Sequence, residues 1–358
     1  MRIIKLLLAT VVLLIGAFWV SSYLLMRDTE PHAYAPVTET EKQEAEAYIA
    51  SGLASMPTGW KWGTFEPQPG VVLRTGQAKT STSPRKGTVV LVPGYTAMLE
   101  LYSETFQTFL NDGYDVAALE YRGQGLSHRE LDNPEKGYVS SYDMLTGELA
   151  DFINQLKVDG AGPVHIYANS MGGHIALRMA GQDRPDVASY FLLVPMVKIE
   201  TGDFPYGVAR VLAGFYSYTG LGNAFAPGQG PFVPGQEKLG TPSPCMNNAK
   251  TAQIRDALFI RNEAYRVTGT TNDWVTRTMA STDLIASQSF VDRVKKPVFM
   301  VTAGDDRWVS TEAATQLCER LSSCEIAHYE ESRHCIAREK PETAQDIFRK
   351  AKDFFAAN

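Results

Sequence analysis

The chain has 358 residues, 44% of them hydrophobic and 10% aromatic, which suits one large α/β domain with an insertion or two ordinary domains. Its net charge of −6 gives nucleic acid no electrostatic reason to bind and argues against general adhesion to anionic membrane surfaces. The four cysteines form no Cys-x-x-Cys pair and no Cys/His ligand spacing, which argues against a zinc site.

Residues 6–26 carry no charge; Arg2 and Lys5 precede them and the polar run Arg27-Asp-Thr-Glu-Pro31 follows. A run of this length can cross a hydrocarbon core of ~30 Å. Residues 1–26 therefore read as an uncleaved transmembrane anchor, with a signal peptide as the competing reading; no clean Ala-x-Ala cleavage site precedes the polar segment. The basic N-terminus places that end in the cytoplasm and the rest outside, at the inner membrane of a cell with a periplasm, or secreted if the segment is cleaved. Residues 27–55, with Pro31, Pro36 and few large apolar side chains, read as a linker or exposed helix.

Strands are expected around Trp62–Phe65 and Val71–Thr75. Beyond them, short β-branched runs at Thr88–Val92, Asp115–Leu119, Val164–Ala168, Tyr190–Val194, Pro297–Thr302 and Glu325–Tyr329 alternate with stretches of helical periodicity. Leu101, Phe106, Phe109 and Leu110 line one helix, and Leu149, Phe152, Ile153 and Leu156 another. The alternation predicts an α/β fold with a mostly parallel sheet covered on both faces. It stops between residues 198 and 294, where an aromatic stretch (Phe204, Tyr206, Phe215, Tyr216, Tyr218, Phe225) leads into a Pro/Gly-rich loop at 226–235 and then into renewed helical spacing. The expected organisation is a core of 56–197 and 295–358, interrupted by a helical insertion at 198–294.

Within Val164-His-Ile-Tyr-Ala-Asn-Ser170-Met-Gly-Gly-His-Ile-Ala, an apolar strand breaks at Asn-Ser and restarts at once as a helix of small residues. A serine on so tight a strand-to-helix turn presents its hydroxyl and leaves the backbone N–H of Met171 free to donate to an oxyanion. The usual pattern has glycine where this chain has Ala168. A serine nucleophile needs a base, and the base an orienting acid. Asp305 and Asp306 follow the strand Pro297–Thr302, and His334 follows the last strand, so acid and base both fall in loops at strand carboxyl ends, in the order Ser, Asp, His. His328, inside that last strand, reads as packed there. Cys318 and Cys324 either bridge a helix end to the next strand or stand as independent thiols.

Val90-Leu-Val-Pro-Gly94-Tyr95, Glu120-Tyr-Arg122-Gly-Gln-Gly125-Leu-Ser127, Ala168-Asn-Ser170-Met-Gly-Gly173, Gly304-Asp-Asp306-Arg-Trp-Val309 and Ser332-Arg-His334 with Glu339 together give the chain a strong likeness from about residue 60 to 357. It resembles an α/β-hydrolase of the serine aminopeptidase-like group, which contains bacterial lysophospholipases and monoacylglycerol lipases. The resemblance implies Ser170 as nucleophile, Asp306 as acid and His334 as base, with the Tyr95 N–H joining that of Met171 in the oxyanion hole. It implies a cap at 198–294 that forms most of the substrate pocket, where Asn248-Ala-Lys-Thr251 to Asp256 and Asn272-Asp-Trp274 are similar to lysophospholipase cap helices. Members usually carry His-Gly where this chain has Pro93-Gly94. The implied activity is hydrolysis of a carboxylic ester of a lysophospholipid or monoacylglycerol through an acyl-enzyme, with no metal or organic cofactor, no nucleic-acid partner and no stated oligomeric form. The alternatives are a peptidase of the same fold, for which the insertion offers only the scattered acids Asp203, Glu237, Asp256, Glu263 and Asp273, and a non-catalytic binding protein.

Overall fold

The computed structural model describes residues 10, 13, 16–24, 26, 32–51, 55–182, 186–236, 238–239, 241 and 243–358. Eight strands form one sheet: β1 (Lys61–Gln68), β2 (Val71–Ala78), β3 (Gly87–Val92), β4 (Tyr114–Leu119), β5 (Val164–Asn169), β6 (Ser189–Leu193), β7 (Val298–Asp305) and β8 (Cys324–Arg333). Their spatial order is β1-β2-β4-β3-β5-β6-β7-β8. β2 runs antiparallel to β1 and β4, and the other neighbours are parallel. Every residue of β3, β4 and β6 is buried, as expected of strands covered on both faces.

The order dictates where a site can form. From β3 the chain steps one way to β4, then crosses back to β5 on the other side of β3, so the loops after β3 and β5 diverge from adjacent strand ends. The last pair of their register is Val92 with Ala168, which sets Pro93-Gly94-Tyr95 beside Asn169-Ser170-Met171.

On one face, Tyr167, Phe191 and Phe299 are isolated rings in sequence; the register aligns them across β5, β6 and β7.

 Phe191 stacks on Tyr167 and on Phe299, with centroids 5.7 and 4.8 Å apart. Phe348, Phe354 and Phe355 of the C-terminal helix Pro341–Ala357 close over this ladder.

Among the described residues, the stretch between β6 and β7 adds no strand to the sheet. It contributes the helices Tyr206–Tyr216, Ile254–Arg261 and Asn272–Ala286. The last of these docks on the helix Met171–Ala180: His174 Nε2 lies 2.7 Å from Ser281 Oγ, and Arg178 Nη1 donates to the same hydroxyl at 2.7 Å. At the end of the first helix Tyr216 is buried, while Phe204, two residues before the helix begins, is 46% exposed.

Of the segment 27–55, read as a linker or exposed helix, Glu39–Ala50 is a helix, capped by Thr38 and Glu41 in a capping box. It buries Ala45 and Ile49 and packs against the helix Ile254–Arg261, because two apolar residues one turn apart suffice to seat it. One expectation, the packing of His328, is corrected: its side chain stands 41% exposed on β8, between Thr302 Oγ1 and Glu330. Among the described residues no helix is long and apolar enough to cross a membrane. Of the segment 6–26 expected as an anchor, residues 6–9, 11–12, 14–15 and 25 lie outside the described residues.

Two buried histidines make the fold acid-sensitive. Burial pulls His165 down to about 4 and His174 to about 3. Both are neutral when folded and regain an ordinary pKa near 6.5 when unfolded, so unfolding takes up protons below that pH. Their contribution is therefore complete above pH ~6.5 and is lost as the pH falls toward 4, each at up to roughly 1.4 kcal/mol per pH unit. Urea unfolding at a series of pH values is expected to give this decline, with a shallower slope for His165→Asn; equal slopes would refute it.

Candidate active site

Ser170 sits between the end of β5 and the helix Met171–Ala180 with φ 53° and ψ −116°. A non-glycine residue in that region is strained and persists only where its surroundings over-determine it. Here they do. Ser170 N–H donates to Leu193 O at 2.9 Å, and Ser170 O accepts from the N–H groups of His174 and Met196, each at 3.0 Å. A Cβ at Gly172 would collide with the carbonyl oxygens of Val92 and Pro93, so only glycine lets the helix start so close to β3. Ala168, where the usual pattern has glycine, is fully buried in the core and is accommodated by this turn. Met171 opens the helix, and its N–H is among those of the first turn that have no partner within the helix.

His334 and Asp306 arrive from the two neighbouring loops. His334 Nε2 lies 2.9 Å from Ser170 Oγ, and Nδ1 lies 2.7 Å from Asp306 Oδ2. The other oxygen, Asp306 Oδ1, accepts from the N–H groups of Trp308 and Val309 at 2.9 and 3.0 Å, which fixes the carboxylate. Ser170 is 7% exposed, and the side chains of His334 and Asp306 are 12% and 1% exposed, so the line of hydrogen bonds is largely shielded from water. Asp305 takes a different place. It pairs with Arg333 Nε at 3.1 Å and Arg307 Nε at 3.3 Å, and these two guanidinium groups hold its carboxyl below the ordinary range. Of the two adjacent acids, Asp306 alone reaches the imidazole.

The loop after β3 is fixed from below. A Cβ at Gly94 would lie 3.0 Å from Asn169 Nδ2 and 3.4 Å from Ser170 Cβ, so glycine brings Tyr95 up to the nucleophile. Tyr102 OH accepts from Gly94 N–H at 3.1 Å and from Asn169 Nδ2 at 3.4 Å, tying the two loops together. Gln124 Oε1 accepts from Thr96 N–H at 2.6 Å. The Tyr95 ring turns away into the insertion, where its hydroxyl donates to Thr268 O at 2.9 Å, and burial keeps that phenol protonated. Glu120, pushed up to about 7 by burial, accepts from Leu99 N–H, Leu126 N–H and Arg74 and so folds the 120–127 run beneath the site.

Several supports escaped the sequence. Cys245 is bridged to Cys335, the residue after His334, which no local pattern announced, whereas the bridge from Cys318 to Cys324 is one of the two readings held open for that pair. The first bridge closes a span of 90 residues and ties the insertion to the histidine loop. In the chain-entropy account such a closure contributes about 4–5 kcal/mol. Glu339, 3% exposed, reinforces it by accepting from Arg333 N–H at 3.0 Å and Asn247 N–H at 3.0 Å. The even cysteine count was a signal for the first bridge; its pairing across 90 residues was not readable. Gln124 and Glu339 lie in motifs that carry the resemblance, but their roles, like that of Tyr102, run through hydrogen bonds between distant segments that no local pattern shows.

Residues 83–341 match the family described as serine aminopeptidase, S33. The "Lysophospholipase L2" of Escherichia coli (strain K12) is 25% identical over 234 residues, covering 64% of this chain and 67% of that protein. Among solved structures, a soluble variant of monoglyceride lipase from Saccharomyces cerevisiae superposes with a TM-score of 0.64 at 14% identity, over 85% of this chain and 96% of that one. The monoacylglycerol lipase of Paleococcus ferrophilus gives 0.59 at 16% identity, over 80% and 98%. These two likenesses show the α/β-hydrolase fold. With the match spanning β3 to the start of the C-terminal helix, the chain belongs to the serine aminopeptidase, S33 family of α/β-hydrolases.

Proposed function

We propose that this protein is a serine esterase that cleaves carboxylic esters of single-chain lipids, lysophospholipids or monoacylglycerols, through an acyl-enzyme. The observation that carries the reading is the hydrogen-bonded line from Asp306 through His334 to Ser170, in a chain similar to a curated lysophospholipase. With Nδ1–H donated to Asp306, His334 Nε2 is the acceptor for the Ser170 proton. Ser170 Oγ bonds to the ester carbonyl carbon as His334 takes that proton, and the carbonyl oxygen becomes an oxyanion facing the N–H groups of Met171 and Tyr95. Collapse breaks the bond to the alcohol oxygen, which leaves with the proton from His334. Water then repeats the sequence on the acyl-Ser170 ester, releasing the fatty acid and the free serine.

An ester fits this site better than a peptide with a free amino end, which would need a carboxylate for its ammonium. In the insertion, Asp256 is paired with Arg255 at 2.8 Å and Asp273 with Arg277 at 2.9 Å, Asp203 and Glu263 lie exposed to solvent, and Glu237 lies outside the described residues. Ser170→Ala is expected to lower hydrolysis of lysophosphatidylethanolamine and monoolein by at least about 10³-fold and to abolish labelling by a fluorophosphonate. Asp306→Asn should lose about 10³–10⁴-fold in kcat with little change in KM. Faster turnover of an aminoacyl-nitroanilide than of any acyl ester would replace the esterase by a peptidase, and a wild-type chain that takes no label would be a binding protein.

The reading extends to the N-terminus. Residues 1–26 hold the enzyme in the inner membrane with its catalytic part in the periplasm, where single-chain lipids are concentrated at the bilayer. The two disulfides support an oxidising compartment. In fractionated cells the full-length chain is expected to stay with the membrane through an alkaline wash. Recovery of a shortened chain in the soluble fraction would instead mean cleavage and secretion.

A further inference from the structure

Cys335 follows His334 directly, and its bridge to Cys245 is the covalent tie between the histidine loop and the insertion. On the insertion side, residues 226–253 contain no helix or strand among the described residues. Contacts with the histidine loop are what seat this segment. Cys335 N–H donates to Cys245 O at 2.8 Å and Arg333 Nη1 to Ser243 O at 2.7 Å, while Asn247 N–H donates to Glu339 Oε2 at 3.0 Å and Asn248 Nδ2 to Arg338 O at 3.2 Å. Hydrogen bonds between two irregular segments hold only while the segments are kept together. The disulfide keeps them so, because without it each bond has to close a span of 90 residues.

Two features make this bond open to reduction. Both cysteines are half-buried, so a thiolate from solvent has access to them. Arg338 Nη2 lies 3.6 Å from Cys335 Sγ, and the nearest carboxylate in sequence, Glu339, is occupied by backbone N–H groups of Arg333 and Asn247. A cation at that distance stabilises the Cys335 thiolate, which makes it the better leaving group and favours the opened form. The other bridge is placed differently. Cys324 begins β8 and His334 follows its end, so the ten residues of the strand set Cys318–Cys324 roughly 30 Å from the imidazole.

Resting on the esterase reading above, we propose that the Cys245–Cys335 bridge is a redox switch on His334: closed, it holds the imidazole between Ser170 and Asp306, and opened by a dithiol it releases the loop and silences hydrolysis. A thiolate of the dithiol attacks Cys245 Sγ; the sulfur–sulfur bond breaks and its electron pair leaves on Cys335 Sγ, beside Arg338. The second thiol, as its thiolate, attacks the mixed disulfide and expels the Cys245 thiolate, which takes up a proton. The enzyme gains two electrons and the dithiol ends as a disulfide. A chain made in a reducing compartment is thereby latent and becomes active only where an oxidising one closes the bridge.

The test holds the full chain in dithiothreitol buffers of graded reduced-to-oxidised ratio. It follows hydrolysis of palmitoyl-lysophosphatidylethanolamine, fluorophosphonate labelling of Ser170, and free thiols trapped by alkylation and mapped on peptides. Hydrolysis and labelling are expected to fall about tenfold to hundredfold as Cys245 and Cys335 become free and to return on reoxidation, with the far-ultraviolet circular dichroism kept throughout. Cys318→Ser/Cys324→Ser should respond like the wild type, and Cys245→Ser/Cys335→Ser should be low in every buffer; reduction of the wild type carries the result even where a variant does not fold. Arg338→Met should need a more reducing buffer to open, and opening at the wild-type ratio refutes the part given to its guanidinium. Full activity with Cys245 and Cys335 free, a loss that follows Cys318 and Cys324 instead, a bridge that stays closed in the folded chain, or a loss that comes only with unfolding of the whole chain overturns the switch. Redox-dependent labelling of Ser170 in a chain that cleaves an aminoacyl-nitroanilide and no lipid ester would uphold the switch and reject the esterase instead.

Discussion

The contact on which the rest depends is the close approach of the helix Met171–Ala180 to the end of β3, made possible by Gly172. Because no side chain separates the helix from the Val92 and Pro93 carbonyls, the turn before it tightens, and Ser170 is forced to a positive φ. The hydroxyl then points out of the sheet edge, toward the loops that β7 and β8 deliver. Relaxing the approach would let Ser170 return to an ordinary conformation and carry its oxygen away from His334.

The histidine loop is held differently, by cross-ties. β8 delivers it, but its position is set by Asp306 from the β7 loop, by Asp305 through Arg333, and by the insertion through Cys245 and the Asn247–Glu339 pair. The insertion is thus structural for the imidazole. Its other anchor, Ser281 on His174 and Arg178, lies on the helix that carries the nucleophile. Movement of the insertion would disturb both ends of the Ser170–His334 hydrogen bond, so core and insertion act as one mechanical unit at the site.

Much of this was legible in the chain. The described strands fall on the expected runs; β3, β4 and β6 stand out locally because strands buried on both faces must be apolar along their whole length, whereas the edge strands β1 and β8 are largely exposed. Ser170 and His334 were readable for a similar reason: each follows a strand at once, and the strand end fixes its place. The choice of Asp306 over Asp305 came from the motif match alone, since the two are chemically identical neighbours whose strand position does not separate them. Register decides it. Asp305 is still paired to Arg333 across β7 and β8, which spends its charge there, and leaves the next residue to turn toward the ring. What stayed hidden involves segments distant in sequence: the Cys245–Cys335 bridge, the Gln124 hold on Thr96, and the packing of residues 39–50.

The arrangement of charge around the site follows one rule. Each buried carboxylate near the reacting centre is satisfied by donors: Asp306 by His334 and two backbone N–H groups, Glu339 by two more, Glu120 by Arg74 and two others. A carboxylate so occupied has little attraction left for a substrate ammonium, and it cannot be recruited without leaving its donors unpaired. The donor left open beside the nucleophile points the other way, toward negative charge: the first-turn N–H of the helix at Met171. A site with its acceptors used and such a donor open is built for a substrate that develops negative charge at the carbonyl oxygen under attack.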